Sequence, residues 1–83
     1  MKIAVCDDER SIRESIKRLI EDRVSDYSIE LFSSGTELLN SQEHYDIIFL
    51  DIQMGGMDGI RVARERRNRG EDTILIFLPF TIC

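Results

Sequence analysis

Three short runs constrain this chain more than anything else in it: KIAVC at 2–6, YDIIFLDI at 45–52 and TILIFL at 73–78. Each is apolar at successive positions rather than alternate ones and rich in β-branched residues, the pattern of a strand buried on both faces. Such strands need covering layers above and below, and the intervening sequence supplies them. From about Glu9 to Val24, Ile12, Ile16, Leu19, Ile20 and Val24 recur at spacings of three and four. They mark one face of an amphipathic helix, with Arg13, Glu14, Lys17, Arg18 and Glu21 left for solvent.

YSIELF at 27–32 alternates well enough for a further strand. SSGTELLN reads as a cap and a short helix, with Ser33 or Ser34 at the N-cap and Glu37 in the first turn. MGGMDG makes a loop, and Gly59 to Asn68 a third helix stopped by Gly70. The order is β-α-β-α-β-α-β, which calls for a doubly wound parallel sheet with helices on both sides. Residues 1–83 are expected to form one domain or part of one.

Other properties narrow the function classes. A net charge of −5 makes nucleic acid a poor partner for the domain. Two cysteines, Cys6 and Cys83, are too few for a disulfide framework. No stretch approaches the roughly 18 apolar residues of a membrane span, and the N-terminus is too short in apolar residues for a signal peptide. A cytoplasmic domain, without membrane attachment, is the expectation.

The chemistry lies where the apolar runs meet acids. Parallel sheets bind ligands beyond the carboxyl ends of their strands. Asp7 and Asp8 stand at that end of the first strand, Asp51 at that end of the third. If the strands are neighbours, three carboxylates converge and require a counter-cation or raised pKa values. Mg²⁺ suits hard oxygen ligands of this number, and a carboxylate beside it can attack phosphorus. Helix capping is the competing role for each acid taken singly, Asp8 above all.

KIAVCDDE, DIIFLDIQM and MDGIRVARERR together resemble the receiver domain of two-component response regulators, with a CheY-like, flavodoxin-like fold. The wording of the first and third strands is most like LytTR-class regulators, whose receivers usually precede a DNA-binding domain. The resemblance runs to about Leu78 and implies a truncated receiver lacking the last helix, strand and helix. It implies that Asp51 is the phosphoacceptor for a sensor histidine kinase. It makes Asp8 a direct Mg²⁺ ligand assisted by Asp7, with the backbone carbonyl of Gln53 as a further ligand, and the domain itself no enzyme.

Two family features are missing. Pro79 occupies the place of the switch hydroxyl at the end of the fourth strand, with Thr81 two residues on as a weak substitute. No lysine matches the one that the family has at the end of its fifth strand, since Lys2 and Lys17 lie elsewhere. Alternatives are therefore a receiver-derived module that folds or oligomerises without switching, through the fourth strand or exchange of the C-terminal segment, and, more remotely, a Mg²⁺-dependent phosphatase with Asp51 as nucleophile. The phosphatase lacks a general acid–base group, for Gln53 cannot serve.

Smaller expectations follow. Gly55 in place of proline should loosen the loop. Arg66, on the apolar side of the third helix, should weaken its packing, and the arginines from Arg61 to Arg69 read as a solvated face. His44 is expected at the surface, and Cys6 in the core.

Overall fold

In the computed structural model, which describes residues 1–54 and 58–78, four strands and three helices alternate. They are β1 (Lys2–Cys6), α1 (Arg10–Arg23), β2 (Ser28–Phe32), α2 (Gly35–Asn40), β3 (Ile47–Asp51), α3 (Gly59–Asn68) and β4 (Ile74–Leu78). The strands form one parallel sheet in the order β2-β1-β3-β4. The chain thus steps outward from β1 to β2 and crosses back to β3, so the direction of winding reverses between β1 and β3. That is the flavodoxin-like order as far as β4.

β1 and β3 lie largely buried on both faces, as their composition requires, whereas β4, with the same apolar run, buries only Leu78 fully. Ala4, Cys6, Ile48 and Leu50 pack with Leu38 of α2 and with Val62 and Ala63 of α3. Ile3 and Val5 pack on the other face with Ile16 and Ile20 of α1. Ile12 and Leu19 were expected on that buried face but stand in solvent, Leu19 with 51% of its surface exposed. Helix α1 lies over β1 and β2 and meets the sheet through Ile16 and Ile20, with Val24 packed beside them.

Local signals set the ends. Ser34 caps α2, its Oγ accepting from the Glu37 N–H at 3.2 Å. The Glu37 carboxylate returns to the N–H and hydroxyl of Ser33, a capping box shifted by one residue. Asp58 caps α3 by accepting from the Arg61 N–H. Gly70 ends that helix at φ +80°, a left-handed conformation that suits glycine.

Arg66 corrects the expected weakness of α3. Only 2% exposed, it forks onto both oxygens of Glu71 at 2.6 and 2.7 Å. It also donates to the carbonyls of Leu38 and Glu43, with its guanidinium carbon 5.3 Å from the centre of the Tyr45 ring. The apolar position holds a fully partnered cation that ties α3 to α2 and to the approach to β3. Nor is the rest of the run simply solvated: Arg67 donates to the carbonyls of Glu71 and Thr73, and Arg69 to that of Leu39. Gly55, Pro79, Thr81 and Cys83 lie outside the described residues. His44 is exposed and Cys6 buried, as expected.

Candidate metal and phosphoacceptor site

Strand register brings the acids together. Cys6 pairs with Leu50, so Asp7 and Asp51, one residue further, leave the sheet at the same level on neighbouring strands. Carboxylate oxygens of Asp7, Asp8 and Asp51 all lie within 4.8 Å of one another. Asp7 is 4% exposed, Asp51 9%, and Asp8 faces solvent. The site therefore has two anchored acids at its floor and one at its mouth.

The two floor acids are oriented the same way. Asp7 Oδ1 accepts from the Glu9 N–H at 2.9 Å, and Asp51 Oδ1 from the Gln53 N–H at 3.0 Å. Each is a turn in which the side chain grips the backbone two residues on, and each leaves a second carboxylate oxygen for a ligand. The capping role open to Asp8 is not taken: Glu9 is the N-cap of α1, and no side chain caps that helix. Burial pushes the Asp7 pKa above its ordinary value; the Glu9 N–H opposes the rise, and the charges of Asp51 and Asp8 add to it. A cation would relieve that repulsion, so this donor set fits a hard divalent ion with carboxylate and water ligands.

A cleft of about 480 Å³ opens over the acids, walled on its apolar side by Ile12, Ile16 and Leu78. Gln53 also lines it. Behind the site, the Gly59 N–H donates to the Ile52 carbonyl at 2.9 Å, which brings α3 against the end of β3. Beneath it, the Cys6 thiol donates to the Ser34 carbonyl at 3.3 Å and lies 3.6 Å from the Met54 sulfur.

One contact was not legible in the sequence. Arg13, counted with the solvent-facing residues of α1, donates from Nη1 to the Asp7 carbonyl oxygen at 2.7 Å. Its charge also reaches Glu37, whose pKa is held below its ordinary value by the N–H and hydroxyl of Ser33 and further by Arg13. The six-residue separation of Asp7 and Arg13 crosses a strand end, a turn and a helix start, and so has no periodic signature.

Fold and site together define a flavodoxin-like domain with cation-receptive carboxylates at its topological switch point. The chain belongs to the response regulator receiver domain family, whose model matches residues 3–81. It is similar to the response regulator MprA of Mycobacterium avium, at 36% identity over 80 residues, and to that of Mycobacterium leprae, at 35%. Each match takes in 94% of this chain, which spans about a third (34%) of the length of those relatives. Among solved structures it is similar to the response regulator TrrA of Thermotoga maritima in complex with Mg²⁺-BeF. There the TM-score is 0.83 and the identity 36%, over 92% of this chain and 66% of that one. The BeF3-activated receiver domain of DrrB matches at TM-score 0.78 and 26% identity, over 92% of this chain and 62% of that one.

These relatives correct the LytTR-class likeness. MprA and DrrB, the latter an OmpR/PhoB homologue, are of a different type. The misreading has a physical source. Both strands that suggested LytTR are shaped by two-sided burial and by the acid site, demands that every receiver shares.

Proposed function

We propose that this chain is a phosphoacceptor receiver in two-component signalling, taking a phosphoryl group from a sensor histidine kinase onto Asp51 with Mg²⁺ as cofactor. The observation that carries the reading is the convergence of Asp7, Asp8 and Asp51 within 4.8 Å at adjacent strand ends of a receiver fold. Asp8 and Asp51 would hold the metal directly, Asp7 would assist, and the Gln53 carbonyl would complete the protein ligands. When bound, Mg²⁺ offsets the negative charge of the phosphoryl group approaching an anionic nucleophile.

The Gln53 N–H fixes the Asp51 carboxylate in one rotation, which supports attack by its other oxygen. That oxygen forms a bond to phosphorus as the phosphorus–nitrogen bond of the phosphohistidine breaks. The imidazole leaves with the electron pair and takes up a proton, and Asp51 becomes a mixed anhydride. Cys6 and Met54 exclude water from beneath the site. A phosphatase reading finds little support, because the residue two positions after Asp51 is Gln53, which offers no acid–base chemistry.

Intact-mass measurement after incubation with Mg²⁺ and acetyl phosphate tests this. The wild type should gain one phosphoryl group and Asp51→Ala none; continuous phosphate release without an adduct would point to hydrolysis instead.

A second reading, an interaction module that self-associates, is favoured by the edge strand. β4 has one neighbour among the described residues, β3, and its Ile74 is 61% exposed. An apolar edge of this kind supports pairing with a second copy. The two readings are compatible, since the acids lie at the strand ends and the edge lies along β4.

A further inference from the structure

We propose that Arg13 is a positioning residue for the metal-binding carboxylates, fixing the connection from β1 to α1 so that Asp7 and Asp8 face Asp51. This rests on the reading of those acids as the cation site. Arg13 itself touches none of the three carboxylates. It donates to the backbone carbonyl of Asp7, from a helix that covers one face of the sheet, toward Glu37 on the helix that covers the other.

The connection it grips is short and otherwise lightly held. Three residues, Asp7 to Glu9, join β1 to α1. The Asp7 N–H donates to the Phe32 carbonyl, and the Asp7 side chain holds the Glu9 N–H. The Arg13 bond to the Asp7 carbonyl supplies the third fixed point. The peptide whose carbonyl it grips carries the N–H of Asp8, so rotation of that peptide would swing Asp8 away from the other acids. Asp8 is exposed and accepts no hydrogen bond among the described residues, so its direction depends on the backbone beneath it.

The sign of the effect separates positioning from charge. A nearby cation acting only through its charge would repel a divalent ion, so its removal would tighten metal binding. A cation that holds the loop would, on removal, loosen binding. Groups that orient metal ligands are worth about tenfold or more in affinity.

Titrations of the full chain with Mg²⁺ alone, by calorimetry, decide the matter with Arg13→Met, Arg13→Lys and Asp8→Asn. Arg13→Met should bind Mg²⁺ about tenfold more weakly, with faster amide exchange at residues 8–10, and Arg13→Lys should fall between it and the wild type. Should Arg13→Met not fold by circular dichroism, Arg13→Lys carries the test, since it keeps the charge and loses the planar fork. Unchanged or tighter Mg²⁺ binding in the folded Arg13 variants, with Asp8→Asn binding lost, overturns the role of Arg13 alone. Wild-type affinity in Asp8→Asn overturns the metal site itself.

Discussion

A Cβ placed on Gly59 would lie 2.1 Å from the carbonyl oxygen of Asp51. Helix α3 thus begins directly against the backbone of the proposed phosphoacceptor, and only a residue without a side chain permits the approach. Gly59→Ala must push the helix off the strand end or move Asp51 itself. A loss of about 1–3 kcal/mol is expected from such overpacking. Mg²⁺ affinity should fall in the same variant, because the displaced atom belongs to a proposed metal ligand. Urea melts with and without Mg²⁺ measure both, and a variant that melts as the wild type would show that the backbone yields at no cost.

Arg66 should be among the residues whose loss is felt most. Its removal leaves the Glu71 carboxylate, and the carbonyls of Leu38 and Glu43, without their donor. Breaking a buried pair from one side costs about 3 kcal/mol or more. Arg66→Met should therefore lower stability strongly, and Arg66→Lys should rescue little, since an ammonium cannot serve both Glu71 oxygens and two carbonyls at once. The double change Arg66→Met with Glu71→Gln should recover part of the loss. A thermal melt in which Arg66→Met matches the wild type would contradict this account.

The difference between what could be read in the sequence and what could not follows from the range of the interactions. β1 and β3 were legible because two-sided burial forces continuous apolar runs; β4 carries the same kind of run, but only its Leu78 is fully buried. The acids were legible because Asp7, Asp8 and Asp51 interrupt those runs where the strands end. Arg66 was not, because a charge in an apolar stripe looks like a packing fault until Leu38 and Glu43, from distant segments, are seen to satisfy it. Ile12 and Leu19 misled for the opposite reason: periodicity identifies an apolar face, while the sheet's extent decides how much of it is covered.

Cys6 provides a pH-dependent readout of the core beneath the site. Burial pushes its thiol from an ordinary value of 9.0 up to about 12. The folded protein holds this proton where the unfolded chain releases it, so this group's contribution to stability falls as pH rises from about 9.0 toward 12. Below that window the thiol is protonated in both states and contributes no slope. Iodoacetamide at mildly alkaline pH should leave Cys6 unmodified in the folded protein and alkylate it in urea, as peptide mass mapping would show. Cys6→Ala should flatten the alkaline limb of the stability curve. Rapid labelling of Cys6 under native conditions would mean that the core opens more readily than its burial implies.

The last prediction concerns the edge of the sheet. β4 carries Ile74 in solvent and half-buried Leu75, Ile76 and Phe77 beside it. Among the described residues its outer backbone edge has no strand to pair with. Natural sheets blunt such edges with charge, proline or a covering element, and the described part of β4 has none of these. The chain should therefore form dimers or larger assemblies through β4, in a concentration-dependent way. Ile74→Lys puts a charge on the exposed position without touching the core, and should shift the population toward monomer while leaving Mg²⁺ binding at the strand ends unchanged. Light scattering at tens of micromolar checks both halves. A wild type that is monomeric there would rule out the edge as an interface, and an Ile74→Lys variant that loses Mg²⁺ binding would show that edge and site are not independent.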